Sequence, residues 1–260
     1  LAPNYAAAIA CLVVAGFGGS FYHPAATALI ARLFPINTGK AFGKLGIGAA
    51  LGFFVGPIYA GWRAQSAGWR QPILELGILG LIGAAAFFWL AVEHKNPKPA
   101  AHTKIKVRLF ATPLLWLLFL SASFAFCLRD FAGMGMATLS SLFLQRAQGF
   151  SLWQTGLTLS CLYLASVISN PLFGGLSDRG RTRWTSVVLI AAAIIILIFP
   201  HLRGGWIPVA LAAYGFFFMA SYPMVEAALM ESVPDAVRGR VFGLFILIGG
   251  LLGNFSHWLI

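Results

Sequence analysis

Apolar residues dominate the chain in runs of about twenty, each long enough for one bilayer crossing, separated by short polar connections that carry most of the arginines and lysines. Reading one crossing per run predicts helices near 5–33, 40–62, 71–92, 112–145, 153–175, 184–201, 206–233 and 240–259. Unpaired backbone amides and carbonyls are too costly in hydrocarbon, so each run must be helical. The alternating segments of a membrane barrel are absent. The expected fold class is all-α: a polytopic membrane protein with eight transmembrane helices.

The basic residues of the connections set the orientation, because lysine and arginine concentrate on the cytoplasmic side. Arg32, Lys40, Lys44, Lys95, Lys98, Lys104, Lys106, Arg108, Arg179, Arg181, Arg183, Arg238 and Arg240 fall on one side, and Arg63, Arg70, Arg146 and Arg203 on the other. Thirteen against four places Leu1 outside the cytoplasm, with Arg129 inside a span. The one long polar connection, Glu93 to Arg108, has two prolines and five basic residues and reads as a cytoplasmic linker. It divides the chain into a first bundle part at 1–92, a linker at 93–111 and a second bundle at 112–260.

Composition agrees: 59% of residues are hydrophobic and 10% charged, more apolar surface than a water-soluble core can hide. The net charge of +11 would suit nucleic acid if it were clustered. It sits instead between apolar runs, so no nucleic-acid partner is expected and the lipid bilayer is. Cys11, Cys127 and Cys161 lie within apolar segments without paired spacing, which excludes a disulfide framework or metal knuckle. No nucleotide-binding loop, His-x3-His, Gly-x-Ser-x-Gly or intramembrane aspartate pair occurs, so neither a cofactor nor an enzymatic reaction is expected.

Compared with itself at a shift of 200 residues, the chain matches Tyr22, Gly39, Phe42 and Gly43 with Tyr222, Gly239, Phe242 and Gly243, and Lys40 with Arg240. Both copies run from a Tyr-bearing helix through a basic turn into Phe-Gly at the start of the next helix. The shift corresponds to six helices.

These features carry a family resemblance. Gly175-Leu176-Ser177-Asp178-Arg179-Gly180-Arg181-Thr182-Arg183 resembles the cytoplasmic signature G-x-L-x-D-R-x-G-R-R of the major facilitator superfamily, with the glycine one residue early. Gly43, Gly52, Gly56-Pro57 and Ala60-Gly61 resemble the fifth-helix motif of its exporting members, with Ala60 in place of one glycine. Trp69-Arg70 also fits. The resemblance implies a two-bundle transporter fold, truncated here from twelve helices to about helices four to eleven. The non-methionine start at Leu1, with no signal-peptide pattern before the first span, agrees with a fragment. Phe21-Tyr22-His23-Pro24 and Leu128-Arg129-Asp130 are most similar to fosmidomycin-resistance-type exporters. The resemblance further implies a monomer in the bacterial inner membrane that carries a small molecule outward against protons, without cofactors. Leu12 stands where exporters often place a helix-four arginine, which argues against coupling through that residue. Metabolite uptake, or a non-transporting receptor or assembly protein on the same fold, remains the alternative.

Ionisable groups inside spans carry the sharpest chemical signal, since each must face a partner or water. His23, about 15 Å from the cytoplasmic end of its helix, is a candidate for substrate or proton binding, or else a hydrogen-bonded packing residue. Arg129 and Asp130 project about 100° apart on a helix, so separate partners or a shared wet cavity are expected, not a mutual bridge. Glu226 is a candidate proton site or a partner for loop arginines, Glu231 is expected to be solvated, and Tyr22 and Tyr222 complete the candidate pathway. Gly52 and Gly56 are expected to admit a close helix neighbour, and Pro57 to bend its helix. Asp178 is expected to pair with Arg179, Arg181 or Arg183 and to cap backbone donors in one transport state, or else the turn is merely topogenic.

Overall fold

The computed structural model describes residues 3–90, 109–110 and 112–257. Most of the basic linker, including its lysines and Arg108, lies outside the described residues. Among the described residues ten α-helices follow one another: α1 (Tyr5–Ser20), α2 (Tyr22–Leu33), α3 (Thr38–Ala67), α4 (Arg70–Leu90), α5 (Pro113–Leu142), α6 (Leu152–Leu164), α7 (Ser166–Ser177), α8 (Arg181–Ile198), α9 (Trp206–Ser232) and α10 (Arg238–Gly253).

Among the described residues, seven crossings are long and apolar enough to span a membrane, with α1–α2 and α6–α7 each forming one crossing in two pieces. The eighth expected crossing is α10, which has 16 residues and continues into a short 3-10 turn. The α1–α2 break at Phe21 lies just before Pro24, whose missing N–H leaves the Ser20 carbonyl without its helical donor. A second break at Ala165 precedes Pro171, which does the same to Val167. Pro57 and Pro223, by contrast, sit within unbroken α3 and α9.

Local signals set the helix starts. Asn4, Thr112 and Ser151 accept from the backbone at the beginnings of α1, α5 and α6, the last as a reciprocal capping box with Gln154. The repeat is visible in the element boundaries: α3 begins at Thr38 and α10 at Arg238, 200 positions later. Phe42 and Phe242, the matched phenylalanines, are both buried in one core.

That core joins the two parts of the chain at the arginine-rich end, drawing Ala31 and Phe42 from α2 and α3 together with Phe126, Met230, Val241 and Phe245 from α5, α9 and α10. Elsewhere the exposed side chains are apolar in helical stripes. Ile190, Ile194 and Leu197 line one face of α8, and Leu81, Phe88 and Trp89 project from α4. Water would penalise such a surface, and lipid does not.

Candidate functional site

The two parts of the chain meet along α3, which packs antiparallel against α6 and α7. Each four-residue step up α3 is matched by four residues back along its neighbour. A side chain on Gly39 would strike the Gly174 carbonyl and Asp178, and one on Gly43 would strike the Asn170 backbone. Farther along, a Cβ on Gly156 would lie 2.7 Å from the Pro57 carbonyl and one on Gly61 3.1 Å from that of Leu152. The backbones therefore touch through most of the membrane thickness only because these positions lack side chains. Gly52 and Gly56, expected to make the close approach, face open space among the described residues. They lie on the face of α3 turned away from α6 and α7, while Gly39, Gly43, Gly46 and Gly61 make the contact. Gly175 only touches Lys40, and the tight position is Gly174.

At the arginine-rich end Asp178 crosses this seam. Its carboxylate accepts from the backbone N–H groups of Gly39 at 2.8 Å and Lys40 at 3.1 Å. These are orphan donors of the first turn of α3, which its own N-cap residue, Asn37, leaves unbonded. Asn37 takes a left-handed φ of 63°, a conformation that asparagine tolerates better than most residues. Asp178 thus caps a helix 139 positions away in the chain. Of the three expected arginine partners only Arg181 pairs with it, at 3.3 Å, and Arg181 also reaches Glu231 on α9 at 2.6 Å. Arg179 and Arg183 are exposed. Glu231, expected to be solvated, is the acidic partner of the loop, and Glu226 is not. A second bridge crosses the parts nearby, from Arg32 at the end of α2 to Asp235 just before α10, at 2.9 Å.

Deeper in the second part, Arg129 and Asp130 of α5 bridge each other directly, against the expectation of separate partners. Both side chains bend toward α9, where the long arginine stem overcomes the angular offset. The guanidinium also donates to the Phe218 carbonyl at 2.6 Å and lies between the rings of Phe218 and Tyr222, 3.6 and 3.7 Å from their centroids. Tyr222 donates to Asp130 at 3.0 Å. Gly133, one turn beyond Arg129, leaves the space that the Phe218 ring occupies. The cluster is nearly dry, with side-chain exposures of 7% for Arg129 and 17% for Asp130, so charge and counter-charge hold each other. Glu226 follows Tyr222 by one turn of α9 and carries no ion pair among the described residues.

His23 lies apart from this cluster, edge-on to the exposed Tyr22, at a cavity of about 720 Å³ between α1–α2 and α10. The structure therefore brings Arg129, Asp130 and Tyr222 into one contact group and leaves Tyr22 and His23 on the far side of α10. One polar cluster escaped the reading of the sequence. Toward the other end of α3, Glu75 of α4 accepts from Arg63 at 2.7 Å, from Gln71 at 2.9 Å and from the Tyr59 hydroxyl. Arg63 belongs to α3 itself, which runs five residues beyond its expected end. The signal was present as two four-residue spacings, Tyr59/Arg63 and Gln71/Glu75, which put each pair on one helical face.

The comparisons with known proteins bear on the whole chain. It is 28% identical over 267 residues to the MFS-type transporter SLC18B1 of Mus musculus, covering 92% of this chain and 56% of that protein. To the SLC18B1 of Homo sapiens it is 30% identical over 258 residues, covering 90% and 55%. To the multi-drug resistance efflux pump PmrA of Streptococcus pneumoniae it is 28% identical over 244 residues, covering 88% and 60%. The chain thus spans little more than half the length of these curated relatives. Residues 1–256 match the model of the Major Facilitator Superfamily, and with these helices and this cross-seam loop the chain belongs to that family of membrane transporters.

Proposed function

We propose that this chain is the greater part of a secondary active transporter that exports a small molecule in exchange for protons by alternating access, as a monomer in a bacterial inner membrane. The capping of α3 by Asp178 carries the reading: its carboxylate ties the two parts together at the arginine-rich end through bonds to two backbone groups, which can be released without unfolding either part. Outward direction is supported by relatives named as a multi-drug resistance efflux pump and a methylenomycin A resistance protein. His23 would contact substrate or carry a proton. Asp130 and Glu226 would be the acidic groups of the coupling path, and Arg129, held by aromatic rings, would position Asp130.

The test uses everted membrane vesicles containing the full-length protein. A candidate substrate accumulates when the lumen is acid, and a protonophore abolishes that accumulation. His23→Ala and Asp130→Asn abolish flux while membrane insertion is unchanged. Accumulation indifferent to the protonophore would remove the proton, accumulation only in right-side-out vesicles would reverse the direction, and unchanged flux in both variants would remove the site assignment.

A further inference from the structure

We infer that Glu75 is a positioning residue: it holds the far turns of α3, those beyond Pro57, in one direction against α4, so that movement at the Asp178 end of α3 is passed on to α4. The inference rests on the transport reading above for its consequence, and on the geometry of these two helices for its cause.

Pro57 has no N–H to give, so the Phe53 carbonyl is left without its helical donor within α3. The same lesion accompanies an interruption at Pro24 and at Pro171, yet α3 continues to Ala67. α9 also continues through its proline, Pro223, and there close packing holds it, with Ala220, Ser221, Met224 and Ala227 all buried. In α3 the hold is polar. The turns after Pro57 carry Tyr59 and Arg63, four residues apart and so on one face, and both donate to Glu75 of α4.

Arg63 reaches both carboxylate oxygens, with Nε at 2.9 and 3.0 Å and Nη2 at 2.7 Å. Such a fork fixes orientation as well as distance. Gln71, one turn back on α4, donates to the same carboxylate at 2.9 Å. The two helices are also joined by the tight connection at Gly68 and Trp69, where Gly68 takes a φ of 80° that favours glycine. A connection alone is one fixed point and leaves the angle between the helices free. Glu75, five residues into α4, supplies a second, and two points set a direction. Both side chains lie within apolar crossings, where parting Arg63 from Glu75 would leave two charges unpaired.

The consequence follows from where α3 is attached. Its first turn is capped by Asp178 across the seam and its last turns are bonded to α4, with the weak point at Pro57 between them. With the far turns fixed, a displacement at Gly39 turns α4 as well. With them free, the same displacement is spent in bending at Pro57.

The experiment places spin labels on cysteines at Leu45 of α3 and Phe88 of α4, both exposed, in the full-length protein freed of its own cysteines, and reads the distance between them in detergent. Leu45 lies twelve residues from Pro57, about 18 Å of helix, so a kink of about 20° moves that label by about 6 Å. The parent protein gives one narrow distribution. Glu75→Gln broadens or shifts it by about 6 Å and lowers vesicle flux. Adding Pro57→Ala, which restores the donor to Phe53, narrows it again, whereas a backbone donor on α3 could not replace an ordinary tie between two helices. Arg63→Met with Glu75→Met, which leaves no charge unpaired, serves if the glutamine variant does not elute as a monodisperse species. A distribution unchanged by the loss of Glu75, broadening that Pro57→Ala does not narrow, or full flux despite broadening each overturns the inference. Distances that behave as stated in a protein whose parent form shows no flux would instead sink the transport reading and leave the positioning of α3 standing.

Discussion

The chemistry of single residues here depends on who borrows whom. An aspartate that would ordinarily cap its own helix caps a distant one, so its removal should act on the equilibrium between closed and open forms. Losing an N-cap carboxylate costs about 1 kcal/mol, which is about a fivefold shift toward the open arginine-rich end for Asp178→Ala. Labelling of a cysteine placed at Ser177, buried in the closed form, should rise by that factor. The Arg129–Asp130 pair behaves differently, because it is nearly dry. Removing one charge leaves the other buried and uncompensated, a loss of about 3–5 kcal/mol for Arg129→Met, whereas Arg129→Met with Asp130→Asn should recover most of it. Thermal unfolding of the four members of that cycle in detergent reads the difference. Sequence alone singled out both ionisable residues and the loop aspartate as candidates. It could not tell which partners they find: adjacency on a helix argues against a bridge between 129 and 130, and only the position of α9 makes that bridge the better geometry. Glu75 was overlooked for the same reason, since two of its donors, Tyr59 and Arg63, come from the neighbouring helix.

At the level of helices, seven of the eight expected crossings stand among the described residues as helices long and apolar enough to span a membrane, and the eighth as the shorter α10, because twenty apolar residues leave the backbone no other way to bond itself. Their internal breaks were not, since a proline can be absorbed in an unbroken helix, as at Pro57 and Pro223, or accompany an interruption, as at Pro24 and Pro171. The small-residue pattern of α3 pointed to a close neighbour, and of its glycines Gly43 and Gly61 meet one while Gly52 and Gly56 do not. Spacing identifies a face only when the facing helix is known, and α7 lies along Gly39, Gly43 and Gly46. Gly43→Val should therefore be among the most damaging single changes in α3. Its methyls would meet the Asn170 and Pro171 backbone, which cannot move aside as a flexible side chain can, and overpacking of this kind costs about 1–3 kcal/mol. The loss should appear as a reduced melting temperature and as weaker disulfide trapping between cysteines placed at 46 and 170.

In the whole molecule, two polar contacts stand out between the parts at the arginine-rich end, and they differ in strength for a physical reason. The Arg32–Asp235 bridge has side chains about half exposed, at 52% and 48%, so solvent screens it and it contributes about 0–1 kcal/mol. Asp178 is sheltered, at 11%, and bonds two backbone groups. The seam of α3 with α6 and α7 continues to the opposite end through Pro57, Gly61, Leu152 and Gly156, whereas α2 and α10 share only the basic-end core and the cavity wall. A motion that opens the arginine-rich end should therefore separate α2 from α10 and part α3 from α7 at Asp178, while the far part of the seam, at Pro57, Gly61, Leu152 and Gly156, stays in contact. It follows that Arg32→Ala should change vesicle flux by less than about fivefold, and by less still at high salt, while Asp178→Ala changes it more. Joining the same two positions covalently, with Arg32→Cys and Asp235→Cys linked by a short bifunctional thiol reagent, should stop flux completely, and a reducible version should restore it on reduction. Flux that survives the link would mean that these ends do not part during transport, and the seam would then have no motion to guide.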